Sequence, residues 1–430
     1  MADIVTSRVF VDGEKGITAA KLNDITASSV IQPAFYTSKP TAGTADPTDI
    51  ALILKSGAYA QVPVSTLGGS ATQAQIWSTR LRSFNAIGNP TFEVDQRNVA
   101  NIVANPVSGT LVLDRWAYLH AGTNACSVGQ VASNTLLPGT SFSVSRVNLR
   151  ITLTTAQASL GTSDFINIIQ TIEGPWMREL FSDVHSVSLL VRSSVANLNF
   201  GVYLRDNPPT KSLVKLCNIP SANTWTVISL PNIPVFPSGN FSMSPGAIGY
   251  QLGICLCSGT AITAPANDTW QTGSFVGAVG QSNFAASPVN STFDIAFVQN
   301  EPGVVCSTFI DKPFTQNLDE CLRYYAKSYP YGTAVGTTAF AGALGNFIAA
   351  NATSLNGGLQ WPKPLARNPT FIGVYNPGSG AVNTAYNGAT GAATAVTVQY
   401  FNEKGLFQLT GTGFTVGVPY AIQYAADTGW

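Results

Sequence analysis

Apolar residues alternate with polar ones in stretch after stretch of this chain, and Gly, Pro and Asn break the stretches apart. In "LNFGVYLRD" the alternating positions are Leu198, Phe200, Val202 and Leu204. In "GYQLGICLCS" they are Tyr250, Leu252, Ile254 and Leu256, and in "TFDIAFVQ" Phe293, Ile295 and Phe297. A period of two puts one face of an extended segment into a core and the other toward polar surroundings. In "SFSVSRVNLRITLTT" the phase slips: Phe142 and Val144 precede Val147, Leu149, Ile151 and Leu153. Such a slip predicts a bulge or corner. Many strands of this kind at short spacing predict a mostly β chain, with an antiparallel jelly-roll sandwich over residues 81–316. The closing "GFTVGVPYAIQYAADTGW" alternates through Phe414, Val416, Val418, Tyr420, Ile422 and Tyr424. It predicts one long strand in a second, smaller β-sandwich over 331–430. No repeat of 20–50 residues is visible, which disfavours a β-helix or a propeller.

One segment breaks the β pattern. "NLDECLRYYAKSYP" predicts a helix over 317–330 joining the two sandwiches. Asn317 stands as its cap, with Glu320 where a capping-box acid would reach back. Leu318, Cys321, Leu322 and Tyr325 form an apolar stripe. Asp319 and Arg323 pair on the wet face, Lys327 lies near the end and Pro330 stops the helix. A connector sealing a sheet and a partner-binding helix are both compatible with this pattern.

Residues 1–80 form a separate small unit. "ITAAKLNDITASSV" predicts a short helix capped by Thr18, with Leu22 and Ile25 on one face. In "DIALILKSGAYAQVPVSTLGG" apolar arms around 52–54 and 62–64 flank Ser56-Gly57, predicting a β-hairpin. "GGSATQAQ" reads as a linker. A unit this small lacks a core of its own and must lean on copies of itself or on another protein.

Charged residues are 10% of the chain and the formal net charge is zero, against about a quarter charged in ordinary soluble domains. No basic patch points to nucleic acid, and no apolar run is long enough for a membrane span. "MADIVTSRVFVDGEKG" lacks the basic-then-apolar pattern of a signal peptide. The surface is instead Ser, Thr, Asn, Gln and Gly, which suits a rigid extracellular or virion particle or an oligomer. The six cysteines read as small buried hydrophobes, with one or two disulfides open to a protein maturing outside a reducing cytosol. Cys255 and Cys257 are expected on one strand face, too far apart to bond.

The residues of a catalytic constellation are missing. The two histidines, His120 and His185, lie in no metal or triad motif. Glu93 with Asp95, or Glu173 with Glu179, could serve as a glycosidase pair, but such pairs arise by chance. Asp114 and Arg115 read as an ion pair beside a packed Trp116. No metal or cofactor is implied. Sugar binding is better served: it needs exposed aromatic faces beside short polar side chains. "APANDTWQTGS" places Asn267, Asp268 and Trp270 in a turn-rich loop; the alternative is that Trp270 folds back onto the core. In the Asn- and Gly-rich "NPGSGAVNTAYNGATG", Tyr386 is the stacking candidate.

Several segments, in order, resemble virion appendage proteins of tailed bacteriophages, of tail-fibre or receptor-binding type. "FVDGEKGITAAKLNDI" and the hairpin resemble their N-terminal attachment unit. "NPTFEVDQRN", "LVLDRWAY", "IIQTIEGPWMRELF" and "VSLLVRSS" resemble their sandwich domain, a pattern shared with jelly-roll carbohydrate-binding modules. Most specific is "FDIAFVQNEPG" followed by "FIDKPFTQNLDECLRYYAKSY", with Gln299, Glu301 and Gly303 and then Cys321, Arg323, Tyr324 and Tyr325. "KPLARNPTFIGVYNPGSG" and "YAADTGW" resemble the C-terminal domain. The resemblance implies a non-enzymatic structural virion protein made in the host cytoplasm. It also implies a homotrimer, attachment to other virion proteins through 1–80, and distal domains facing host-surface polysaccharide. A collar, neck or head fibre with no receptor fits the same segments. A polysaccharide depolymerase is disfavoured by the missing repeats and acid pair.

Overall fold

A computed structural model of the chain describes residues 50–55, 58–63, 84–136, 138 and 143–430. The chain divides into two compact units, Met1–Ser78 and Thr79–Trp430. In the first, β1 (Ile50–Lys55) pairs antiparallel with β2 (Ala58–Pro63), in register from Ile50 opposite Pro63 to Lys55 opposite Ala58. This is the expected hairpin around Ser56-Gly57. The helix expected over 17–30 and the linker at 68–75 lie outside the described residues.

The second unit opens with the jelly roll. Its early strands are β3 (Val103–Ala104), β4 (Thr110–Leu113), β5 (Trp116–Ala121), β6 (Ala125–Leu136), β7 (Ser143–Thr155) and β8 (Phe165–Glu173). A short helix α1 (Gly174–Arg178) leads to β9 (His185–Ser193), β10 (Leu198–Arg205), β11 (Lys211–Ile219) and β12 (Thr226–Ile233). Then come β13 (Ile248–Ser258), β14 (Trp270–Thr272) and β15 (Thr292–Pro302). Seven strands form one sheet in the order β14-β11-β10-β13-β8-β5-β4, and six form the other in the order β12-β9-β15-β7-β6-β3. From β3 to β15 the chain crosses between the sheets at every connection except β4 to β5, β6 to β7, β10 to β11 and β13 to β14. Each crossing lays the apolar face of one strand against the other sheet. Leu198, Phe200, Val202, Leu204, Tyr250, Leu252, Ile254, Phe293 and Ile295 all meet in the core between them, as their alternation predicted.

Two bulges move residues off the expected faces. The register of β15 on β9 shifts between Ile295 and Phe297. Phe297 therefore leaves the core and stacks on Phe309, at a centroid distance of 4.4 Å, on the outer face. The register of β13 on β8 shifts between Cys255 and Cys257. Cys257 joins the inner core while Cys255 packs outside with Ile169, Tyr203 and Val214. The two cysteines thus face opposite ways, and all six are free thiols. The phase slip read in β7 also has its irregularity: pairing with β6 shifts between Ala132 and Thr135, opposite Val147 and Ser145.

The connecting helix is shorter than expected and begins earlier. It is α2 (Phe314–Leu322), and Pro313 occupies the cap position. Asn317 lies inside it, buried, donating to the Lys312 carbonyl at 3.0 Å. Residues after it are captured by the last strand of the chain and become β16 (Tyr325–Lys327). Glu320 pairs with Lys312 and Asp319 with Lys363. Arg323 therefore does not pair with Asp319; it reaches Glu173 of the jelly roll.

The remaining strands are β17 (Leu344–Asn351), β18 (Ser354–Gln360), β19 (Phe371–Tyr375), β20 (Thr384–Asn387), β21 (Ala393–Asn402), β22 (Gly405–Gly411) and β23 (Pro419–Asp427). Hydrogen bonding runs β23-β17-β18-β22-β21-β20 and returns to β23, so the two layers of this smaller sandwich join through the last strand. β16 and β19 both pair with the end of β23. Its core holds Phe347, Leu355, Leu406, Leu409, Tyr420, Ile422 and Tyr424. β23 is shorter than the alternation suggested. Gly413 and Gly417 take φ of +77° and +78° before it, turning the chain, and Val416 is left 65% exposed.

Between the sandwiches lies a joint of charge and aromatic rings. Arg97 forks onto Asp427 and covers the Tyr325 ring at 4.2 Å. Arg115 lies over the Tyr324 ring at 3.6 Å, so it does not pair with Asp114. Asp114 instead accepts from the Gln96 amide at 2.5 Å and faces Arg97. Glu173 accepts from Arg323 at 2.6 and 2.9 Å, from Tyr324 Oη at 2.7 Å and from the Gly246 amide at 2.8 Å. Lys327 Nζ donates to three carbonyls, Gln96, Tyr331 and Thr333, at 2.8–2.9 Å. Arg367 covers Trp430 at 4.5 Å. Beneath the joint Trp116 is fully buried, its indole donating to the Asn89 carbonyl at 3.1 Å.

Candidate functional site

The loop residues singled out for sugar contact are engaged within the protein, although the Asp268 side chain stays 67% exposed. Asn267 exchanges two hydrogen bonds with the backbone of Val279, at 2.9 and 3.0 Å. Asp268 adopts φ +66° and pairs with Lys215 at 3.1 Å. Trp270 begins β14; its indole donates to the Pro234 carbonyl at 3.2 Å, and its ring packs on Phe236 and Phe241. That is the fold-back alternative, with the ring partly buried against the core. Tyr386 sits in the other sandwich, half-buried, with the edge of Phe340 at 5.2 Å. The four residues do not form one site.

The outer face of the seven-stranded sheet is also taken. The segment 259–282 lies across β10, β11 and β13, burying Ala264, Val276 and Ala278 against Ile169, Tyr203, Val214 and Cys255. Gln281 pins it, donating to the Cys255 carbonyl at 2.9 Å and accepting from Ala278 at 3.0 Å. The approach is close enough that a Cβ on Gly201 would fall 2.8 Å from Gln281 Oε1.

An open face lies on the smaller sandwich. Register places Ile348 of β17 opposite Asn356 of β18, Asn356 opposite Gln408 of β22, and Gln408 opposite Tyr400 of β21. The four make one row across four strands. Ile348 is 51% and Tyr400 60% exposed. Between them Gln408 Nε2 donates to Asn356 Oδ1 at 2.8 Å. A second row, Ser354, Thr410 and Thr397, runs beside it, and Phe407 is exposed at the bulge next to Gln408. From Tyr331 to Trp430 the charged residues are Lys363, Arg367, Glu403, Lys404 and Asp427. Arg367 and Asp427 belong to the joint and Lys363 pairs with Asp319. The rows themselves carry no charge. An exposed ring beside an ordered amide pair and hydroxyls offers a flat apolar contact together with donors and acceptors, the combination a saccharide's C–H face and hydroxyl edge require. The sequence held a signal for this face in "VTVQYFNEKGLFQLT", where polar residues recur on both arms of a hairpin; without the register the two arms could not be matched.

Two of the carboxylates weighed for catalysis are engaged by hydrogen bonds. Glu173 is held by four donors in the joint, and Asp95 accepts from the Asn98 and Ala100 amides. His185 is buried against Asn300, and burial lowers its pKa to about 3, so it stays neutral. Burial raises Cys217 and Cys255 to about 12, which keeps both as thiols. Among the described residues no group of three His, Cys, Asp or Glu could hold a metal ion.

No family model and no curated protein matches the sequence. Among solved structures, the family 11 carbohydrate-binding module of the cellulase Lic26A-Cel5E of Clostridium thermocellum aligns at 10% identity and a TM-score of 0.24, over 47% of this chain and 96% of that one. The C-terminal family 22 module of Clostridium thermocellum Xyn10B aligns at 9% identity and 0.24, over 47% and 95%. A β-1,2-glucanase from Parabacteroides distasonis aligns at 10% and 0.25, over 79% of this chain and 36% of that one. Scores this low carry no argument about ligand or activity.

Proposed function

We propose that this chain is a structural, non-enzymatic virion protein of a tailed bacteriophage, which holds to the particle through residues 1–80 and contacts uncharged host-surface glycan with its smaller sandwich. The appendage is a homotrimer in this reading. The observation that carries the glycan contact is the row of Ile348, Asn356, Gln408 and Tyr400, open and free of charge. The attachment role rests on the sequence resemblance and on the hairpin in a separate unit. A single ring-and-amide contact contributes about 1 kcal/mol, so useful binding depends on several copies acting together.

The test is adsorption of particles carrying Tyr400→Ala to host cells, beside retention of the purified protein on extracted host polysaccharide. Adsorption should fall roughly tenfold or more through avidity, and the melting temperature should hold. Unchanged adsorption with intact fold would sink the glycan reading and favour a collar or head fibre with a purely structural role. Shortening of the polysaccharide during incubation would instead mean a depolymerase.

A further inference from the structure

Away from the joint, one charged row crosses the outer face of the six-stranded sheet. Asp294 of β15 lies directly between Arg192 of β9 and Arg150 of β7. Arg150 grips it through Nε at 2.7 Å and Nη2 at 3.0 Å. Arg192 grips it through Nε at 3.0 Å and Nη2 at 2.6 Å. The carboxylate is 2% exposed at its side chain, whereas the two arginine side chains are 33% and 27% exposed. One buried negative charge is thus shared by two partly exposed positive ones, and the row keeps a surplus of one positive charge facing water.

The surplus is ordered and flanked by apolar surface. Each guanidinium commits Nε and Nη2 to Asp294, which fixes its rotamer and leaves its Nη1 edge for another acceptor. At one end the Trp225 ring lies 4.6 Å from the Arg192 guanidinium. At the other, Gly129 stands opposite Arg150 and has no side chain to screen it. Ile102, 55% exposed, comes so close there that a Cβ on Gly129 would lie 2.8 Å from Ile102 Cα.

We propose that this row is a second ligand site, for a saccharide bearing a carboxylate or sulfate group. The acid bridges the Nη1 edges of Arg150 and Arg192, and the sugar ring lies toward Trp225. A single surplus charge on a chain of zero net charge suits one acidic group on an otherwise neutral ligand, not the run of phosphates of a nucleic acid. The site stands apart from the neutral face of the smaller sandwich and does not depend on it.

The full-length protein would be run in affinity gels containing polygalacturonate, dextran sulfate or neutral dextran. Retardation is expected with one or both anionic polymers, with carboxylate and sulfate told apart by which gel retards, and none with dextran. The variant R150Q/R192Q/D294N keeps hydrogen-bonding groups in the row while removing its charge; it should lose at least tenfold in affinity. K404Q, which removes one charge from an exposed turn, should keep wild-type retardation. If the triple variant melts early, Arg192→Lys serves in its place: it keeps the charge but loses the fork, and should weaken binding several-fold. Absence of retardation in both anionic gels overturns the site, and so does wild-type retardation by a folded triple variant or by Arg192→Lys.

Discussion

The joint between the sandwiches and the open face of the smaller one are built from opposite materials. Joint residues are charged and aromatic, and the carboxylates of Asp114 and Glu173 are almost wholly buried. The open face is uncharged, and its residues at either end of the row are half-exposed. In a chain with only 22 basic and 22 acidic residues, so many ionic groups in one buried junction mark it as the place where geometry must be held. A buried ion pair adds little net stability over apolar packing, but removing one partner strands the other. The joint therefore fixes the angle of the smaller sandwich at the risk of being fragile to single changes. The open face has no such liability, and its side chains are free to meet a ligand.

The difference between joint and open face is largest at Arg323. Arg323→Ala leaves the Glu173 carboxylate buried with only the Tyr324 hydroxyl and Gly246 amide to balance it. The loss should be about 3 kcal/mol, read as an earlier melting transition. A cost under about 1 kcal/mol, the size for an exposed helix pair, would mean that the joint is ornamental and the sandwiches are held by their apolar contacts alone.

The pairing at the joint was not readable in the sequence, and the reason is distance along the chain. Arg97 and Asp427 are 330 residues apart, and Glu173 and Arg323 are 150 apart. Local pattern cannot pair such residues. It could read the strands, because alternation is a local consequence of two-sided packing, and it put Leu198 to Leu204 and Tyr250 to Ile254 on the right face. It erred where a bulge inserts one residue, at Phe297 and Cys257, since the phase flips with no change in composition. It also carried the connecting helix too far, because Tyr325, Ala326 and Lys327 suit a helix locally but gain ladder hydrogen bonds from β23. Five of the segments that resemble appendage proteins do have a common address. Arg97, Asp114, Glu173, Arg323, Tyr324 and Asp427 come from "NPTFEVDQRN", "LVLDRWAY", "IIQTIEGPWMRELF", "CLRYY" and "YAADTGW", and all meet at the joint. Trp270 shows the limit at the candidate site: whether an aromatic in a turn-rich loop faces water or folds back depends on Phe236 and Phe241, which local sequence does not place beside it.

Acid sharpens the picture within the joint itself, because its carboxylates titrate in opposite senses. Burial drives Asp114 up to about 6, although Arg97 pulls it down. Burial also pushes Glu173 upward, but hydrogen bonds from Arg323, the Gly246 amide and Tyr324 outweigh it and hold the group below its ordinary value. A carboxyl with a raised folded pKa binds its proton more tightly when folded, so its contribution to stability grows as pH falls from about 7 toward 4. Glu173 does the reverse: its contribution is complete at neutral pH and is lost only below the usual carboxylate range. Between pH 7.5 and 5, wild type should therefore gain about 1 kcal/mol relative to Asp114→Asn, measured by denaturant unfolding at each pH. A constant difference across that range would show that Arg97 neutralises Asp114 fully and that burial does not dominate.

The smallest expected change in stability tests the other half of the comparison. Asn356→Asp alters one atom of the open face. Gln408 can still donate to the new carboxylate as it does to Asn356 Oδ1 at 2.8 Å, so the row keeps its hydrogen bond. Asn356 is exposed, so solvation of the charge is nearly complete and the fold should move by less than about 0.5 kcal/mol. Binding to neutral polysaccharide is a different matter. A carboxylate accepts hydrogen bonds but donates none, and it holds its own water tightly. A sugar hydroxyl that accepts from the Asn356 amide would lose its donor and meet a charge in its place. Retention on extracted host polysaccharide should drop several-fold, with the melting temperature unchanged. The same substitution in Ser354, a row away, should have a weaker effect, because contact is expected along the line from Ile348 to Tyr400. If Asn356→Asp binds as wild type does, the absence of charge on this face is a matter of composition and not of recognition, and the contrast with the joint reduces to what is buried and what is not.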